Sequence, residues 1–472
     1  MIPRLPRLAE VAKIGPRPRA HAALRAGRRA GDFLRRSTSP LRYSARRLGG
    51  SLSARSKIDE DAMAWGYSWR SSSSGTRSEV PWGVEQLEDV GSRSAPAARP
   101  RPGPGRRRAW YGGRPSAPTV FVGAEGSRAI EAPAGVILLD ARVDAAGVIH
   151  ENKTARLVDL DDGIACLEFR SPKMNILDDG VLALLREAPQ ILAKVGGFRG
   201  LVIGDQTANF CAGADLKRIL RWAQERDFAA LDQAVSVLQD TLMELRHGWL
   251  PVVAAPHGMT MGGGVEVCLH AARIQADAEL YMGLVEAGVG LLPAGGGLKE
   301  LARRASAWAS QVDGADPYLG IRRAFDAVGG AKVSTSAAHA RAMGFLGPED
   351  RITFHRSRVI ADAKRAAIAL AEAGWVPPDR DEPIAVIGAP HGASLMLGAQ
   401  LFEWGGFISP HDKLIGQKIA HVLSGGMRST AGTLRAQDLL DLEREAFCSL
   451  AGEEKTQARI ESMLKTKRPL RN

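Results

Sequence analysis

The sequence predicts an α/β fold from about residue 117 onward, and three observations carry that prediction. Short apolar runs at 119–122, 135–139, 155–160 and 164–169 are separated by turn residues such as Asp161, Asp162 and Gly163, the pattern of strands joined by hairpins. Helical and strand periods then alternate: 181–195 reads as an amphipathic helix, 200–203 as a buried strand and 229–245 as a second helix. In the stretch 436–464, residues such as Leu439, Leu440, Phe447, Leu450 and Ile460 fall at core-facing helical spacings, so a helical region completes the domain. No internal repeat is visible.

Composition narrows the class. Of 472 residues, 45% are hydrophobic and 24% charged, the balance of a globular protein, and the length calls for more than one module. Cys166, Cys211, Cys268 and Cys448 stand far apart with no Cys-x-x-Cys pair, which argues against a disulfide framework or a zinc cluster and fits a reducing compartment. No run approaches the roughly 18 uninterrupted apolar residues of a spanning helix. The net charge of +11 resembles a nucleic-acid signal until it is localised. The first 110 residues hold 23 Lys/Arg against 9 Asp/Glu, so the rest of the chain is near neutral and nucleic acid is not an expected partner. Residues 1–115, with arginine clusters, a serine run at 71–74 and APAARPRPGPGRRR at 95–108, lack long apolar periodicity and are expected to form a disordered, basic, low-complexity segment. A transit peptide, a basic tail and the remnant of a once-folded module all fit such a segment.

Three glycine-rich segments mark where chemistry could reside. NFCAGAD at 209–215 follows a strand and precedes a helix; MGGGVEV at 261–267 follows the strand-like 251–256; the third spans 288–297. A turn into a helix leaves N–H groups without intrahelical acceptors, able to hold an anion or a developing oxyanion. None of the three has the G-x-G-x-x-G or G-x-x-x-x-G-K-[ST] spacing, so NAD is not expected. Taken singly, such segments are most often only turns. Two glutamates change the balance. Glu266 is the only formally charged residue between Leu250 and Ala272, and Glu286 the only one between Leu280 and Leu298. A dehydrated carboxylate has a raised pKa and can act as a general acid or base near neutrality. The plainer reading is that each is hydrogen-bonded structurally or turned to solvent. Two carboxylates beside paired backbone donors suit a thioester that passes through an enolate, with no metal or redox cofactor required.

These motifs resemble the crotonase, or enoyl-CoA hydratase/isomerase, superfamily from about Ala155 to the C-terminus. RSPKMNILD at 170–178, NFCAGADLK at 209–217, PVVAAPHGMTMGGGVEVCLHAARI at 251–274, the Glu286 loop and VSTSAAHARAMGFL at 333–346 occur in the family's order. The resemblance implies a crotonase-like ββα spiral core followed by a C-terminal helical region. By position, Ala214 and Gly263 match the residues whose N–H groups form the oxyanion hole, and Glu266 and Glu286 match the two catalytic glutamates of hydratases. The implied reaction is hydration of trans-2-enoyl-CoA in fatty-acid β-oxidation, with Glu266 activating water for attack at C3 and Glu286 delivering a proton to C2. Met174, Ala212, Gly213, Asp215, Lys217 and Gly262 are the implied contacts to substrate and its coenzyme A, which enters as part of the substrate. A homo-oligomer and a cytoplasmic location are also implied, or the mitochondrial matrix if the arginine-rich start is a transit peptide. Enoyl-CoA isomerisation and a non-catalytic CoA-binding or basic-tail-binding role are the alternatives.

The chain departs from an ordinary hydratase. After Glu286 come 186 residues, an extension that resembles the hydratase half of long fusions with a 3-hydroxyacyl-CoA dehydrogenase. IDEDAMAWGYSWR at 58–70 resembles part of that dehydrogenase's helical domain, and 110–140 the fusions' connector. This favours the remnant reading of the N-terminus, hence a truncated fusion without the NAD-dependent step. The expected organisation is a basic segment at 1–115, a connector at 116–154 and a hydratase domain at 155–472. Elsewhere, His257 and His270 read as satisfied core histidines, Cys211 as packing, Arg273 as serving a helix end, and Trp65 with Trp69 as a packing remnant.

Overall fold

Apolar runs at 155–160 and 164–169 build an antiparallel hairpin of the main sheet. β5 (Ala155–Asp159) and β6 (Ile164–Phe169) pair antiparallel, and the turn between them places Asp161, Asp162 and Gly163 all at positive φ. Asp and Gly tolerate that left-handed backbone, which matches the twist of the strands. A computed structural model describes residues 111–114, 117–123, 126–129 and 135–472. The segment 1–115 expected to be disordered lies outside them except at 111–114, which form a strand instead; the 58–70 motif and the Trp65/Trp69 pair lie outside them too.

β1 (Tyr111–Arg114), β2 (Ala117–Gly123) and β3 (Gly126–Ala129) form an antiparallel sheet, and β4 (Val148–Glu151) pairs antiparallel with β5. Beyond β6, the strands β7 (Gly200–Ile203), β8 (Val252–Ala254), β10 (Arg273–Asp277) and β12 (Arg351–Thr353) add in parallel, giving a seven-stranded sheet in the order β12-β10-β8-β7-β6-β5-β4. β9 (Gly258–Met261) and β11 (Leu280–Gly283) form a separate parallel pair. β13 (Ile384–Val386) and β14 (Gly432–Leu434) pair antiparallel within the C-terminal extension.

Period-two alternation assigns each face of the sheet. Cys166, Val202 and Val253 pack with Val359, Ile360, Ala363 and Ala367 of helix Val359–Glu372. Their neighbours Leu167, Leu201, Ile203 and Ala254 join the larger core on the other face. There, helix Asp179–Val195 contributes Val181, Leu184, Leu185, Ala188 and Leu192, an i, i+3, i+4, i+7 stripe. Asp178 caps it by accepting from Val181 N at 3.0 Å, and Gly196, at φ 79°, ends it. Parallel strands buried on both faces are thus near-continuous apolar runs.

Two expectations need correction. Residues 135–139 are not a strand: Gln206 accepts from Leu139 N and donates to Ile137 O, both at 2.8 Å, and helix Leu139–Ala146 starts there. A side-chain amide from a distant loop takes the place of a strand partner. The stretch 436–464 is helical as expected, in two helices, Ala436–Ala451 and Glu454–Thr466, parted at Gly452. Arg273 opens β10, where it pairs with Glu349 at 3.4 Å, while helix Gly263–His270 has already ended. Among the described residues, no helix is long and apolar enough to cross a membrane.

Candidate active site

The two glycine turns meet because their strands do. Cys211 bridges Thr260 of β9 in parallel, Met261 N donates to Cys211 O at 2.8 Å, and Leu177 N donates to Gly213 O at 2.9 Å. Gly213 and Gly262 take φ of 91° and 51°, and a Cβ on Gly213 would sit 3.1 Å from Met261 O and 3.3 Å from Gly263 N. Only glycine fits a backbone approach of that closeness with that φ. A Cβ on Gly264 would stand 2.7 Å from that of Cys211, so Cys211 is indeed packing material. Gly263 opens helix Gly263–His270, and Ala214 precedes Asp215, whose carboxylate caps helix Leu216–Glu225 through Lys217 N at 2.9 Å. The N–H of an opening residue has no intrahelical acceptor.

Both turns line a cavity of about 620 Å³. Met174, Ala212, Gly213, Ala214, Asp215, Gly262, Gly263, Glu266 and Glu286 all contribute to it. Lys217, exposed on the first turn of its helix, stands outside the lining. The walls are apolar: Leu177, Ile219, Trp222, Leu231, Val235 and Leu292, joined by Phe447 and Met463 from the two last helices. Sequence reading had given those last helices no part in the site.

Glu266 is 3% exposed. Its Oε1 accepts from Gly295 N at 2.7 Å and Gly297 N at 2.9 Å, where the third glycine segment turns into helix Gly297–Ala309. Burial pushes its carboxyl up to about 7, against the pull of those two N–H bonds and of the nearby Lys299 charge. Glu286 begins the 3₁₀ turn Glu286–Val289, and a Cβ on Gly262 would lie 2.9 Å from its Oε1. Its Oε2 is buried with no hydrogen-bond partner among the described residues. Burial first, and the Glu266 charge second, hold Glu286 well above the usual carboxylate range. A carboxyl near 7 beside one held higher is the pairing that separates a base from an acid.

Around Glu266 lies a buried polar network. His270 Nδ1 bonds Glu266 O at 2.7 Å; a carbonyl only accepts, so that nitrogen carries the proton and Nε2 accepts from Lys299 Nζ at 2.8 Å. Burial and the Lys299 charge keep His270 neutral, far below its usual range. Lys299 also donates to Glu300 at 2.7 Å. Burial alone would raise Glu300, but Arg303, Lys299 and Arg246 hold it far below the ordinary value. His257 bonds Thr207 O at 3.1 Å away from the cavity lining, and burial lowers it to about 4.

Sequence reading missed Glu443, which is fully buried and accepts from Gly296 N and Lys299 N. Its signal was a charge at a core-facing position, three and four residues after Leu440 and Leu439 and four before Phe447.

A mixed sheet feeds two glycine turns, and the buried Glu266 and the half-buried Glu286 share one apolar cavity. Residues 159–311 match the enoyl-CoA hydratase/isomerase family and form a domain of that family. Over 97% of this chain, it is 38% identical to a relative from Bacillus subtilis (strain 168) named "Probable 3-hydroxyacyl-CoA dehydrogenase", of which it covers 57%. A "Fatty acid oxidation complex subunit alpha" from Shewanella sp. (strain W3-18-1) is 37% identical over 159 residues, 32% of this chain and 22% of that protein. The chain thus spans little more than half the length of the Bacillus relative. Among solved structures, an enoyl-CoA hydratase from Bacillus halodurans aligns over 66% of this chain and all of its own, at 16% identity and a TM-score of 0.45. A carnitinyl-CoA dehydratase from Mycobacterium thermoresistibile aligns over 66% of this chain and 90% of its own, at 18% identity and 0.48.

Proposed function

We propose that this protein adds water to trans-2-enoyl-CoA thioesters to give 3-hydroxyacyl-CoA, a step of fatty-acid β-oxidation. One observation carries the reading: Glu266 and Glu286 line the same apolar cavity as the N–H-bearing turns at Ala214 and Gly263. The thioester oxygen accepts from those two N–H groups, which stabilise the enolate as charge moves onto it. Glu266, near 7, takes a proton from water as the oxygen bonds C3. Its two backbone bonds both fall on Oε1, leaving Oε2 for the water. Glu286, held protonated by burial and its neighbour's charge, gives its proton to C2. The water proton rests on Glu266 and the C2 proton has left Glu286, so exchange with solvent resets the pair. Apolar walls from Leu231, Val235, Leu292 and Phe447 receive the acyl chain and exclude bulk water.

The name of the Bacillus relative describes oxidation of a 3-hydroxyacyl-CoA, the product of this reaction. For this chain the proposal covers the hydration step. Crotonyl-CoA hydration by wild type, Glu266→Gln and Glu286→Gln tests it. Each variant should lose roughly 10²–10⁴-fold in kcat. Full activity in either one rejects the assigned role, and turnover of 3-enoyl-CoA without hydration makes the enzyme an isomerase instead.

A further inference from the structure

Two carboxylates share one helix start. Glu266 takes the N–H groups of Gly295 and Gly297, and Glu443, from helix Ala436–Ala451, takes those of Gly296 at 2.7 Å and Lys299 at 2.6 Å. The donors alternate, so neither acid can move without disturbing the turn that holds the other. Gly296 sits at φ 99°, and a Cβ there would be 2.8 Å from His270 Cε1, which leaves the turn no room to relax. Gln239 completes the clamp, donating to Ala294 O at 2.8 Å and Leu440 O at 2.9 Å and so tying the turn to the Glu443 helix. An ordinary helix start needs one cap; this one has two buried acids, and the first of them is the base assigned above.

We infer that Glu443 is a positioning residue for Glu266: it fixes the Gly295–Gly297 turn that orients the base. The inference rests on the proposed hydration. Both oxygens of Glu443 accept backbone N–H groups of the shared turn. Burial, and after it the Glu266 charge, hold the Glu443 carboxyl well above its usual range, so the two acids resist ionising together. The charged groups facing this pair are Glu286 from the 3₁₀ turn, Lys299 and Glu300 from helix Gly297–Ala309, and Arg246 from helix Phe228–His247; His270 is neutral. Arg444, next to Glu443, is engaged by Asp232 and Asp441. The Lys299 ammonium is spent on Glu300 and His270.

Two measurements test this. Glu443→Ala removes both acceptors from the turn, whereas Glu443→Gln keeps a carbonyl oxygen for one N–H group. In Glu443→Ala saturating kcat should fall at least about tenfold as the turn loosens, with KM for crotonyl-CoA little changed, and Glu443→Gln should recover part of the loss. An unchanged kcat in Glu443→Ala, or a KM that changes in step with kcat, overturns the inference. The second readout uses unmutated protein and no substrate: amide ¹⁵N shifts of Gly295, Gly296 and Gly297 followed from pH 5 to 9. All three should respond to the ionisation of Glu266, because its turn is shared with Glu443. A flat Gly296 beside titrating Gly295 and Gly297 refutes the sharing, whether or not the protein hydrates anything. Absent hydration with all three titrating, the proposed activity fails while the linkage of the two acids stands.

Discussion

Glu266→Gln should make the protein more stable at pH 8 than the wild type, and the gain should vanish in acid. The carboxyl rises from an ordinary 4.5 to about 7 on folding, chiefly through burial. At about 1.4 kcal/mol per pH unit, ionising it in place costs at most about 3 kcal/mol. The folded state binds more protons than the unfolded chain between those values, so unfolding free energy falls as pH rises through that window. Below about 4.5 both states are protonated and the penalty is absent; above about 7 it is complete. The amide oxygen of glutamine can still accept from Gly295 and Gly297, so the turn persists. Any constant offset from the new NH₂ group drops out of the slope. Urea unfolding of both proteins at pH 5, 6, 7 and 8, followed by circular dichroism, gives the difference directly. A difference that does not change with pH would falsify the claim that Glu266 is strained by its charge.

Phe447→Ala should cost about 3–5 kcal/mol, since the ring is buried and lines the cavity, and should shift kcat/KM toward longer acyl chains; urea midpoints and a crotonyl-to-decenoyl series check the two parts. Asp178→Ala removes the cap of helix Asp179–Val195 together with its bonds from Thr154 and Ser171, both at 2.7 Å. A loss of about 2 kcal/mol in unfolding free energy is expected, with the pH profile of hydration unmoved.

How far the site could be read in advance differs residue by residue. The Asp161–Gly163 turn, the 181–195 stripe and the 200–203 strand were legible because each follows from spacing along a few neighbouring residues. Glu266 and Glu286 were legible by contrast, as lone charges in long apolar runs. Residues 135–139 misled because their apolar pattern fits a strand, yet Gln206, 67 residues away from Leu139, holds that backbone. Glu443 was overlooked because a single glutamate in a charged C-terminal helix looks like part of a solvated face.

By itself, the sequence determined the turn at 161–163, the 181–195 helix, the 200–203 strand, the glycine turns before the helices and the isolation of the two glutamates in apolar runs. Each of these depends on local sterics and on which residues avoid water. Tertiary structure alone decided which donors meet Glu266, that Glu443 approaches Gly296 across 147 residues, and that Phe447 and Met463 wall the cavity. Buried charge must find compensating dipoles, and a helix start supplies them only once folding has brought it there.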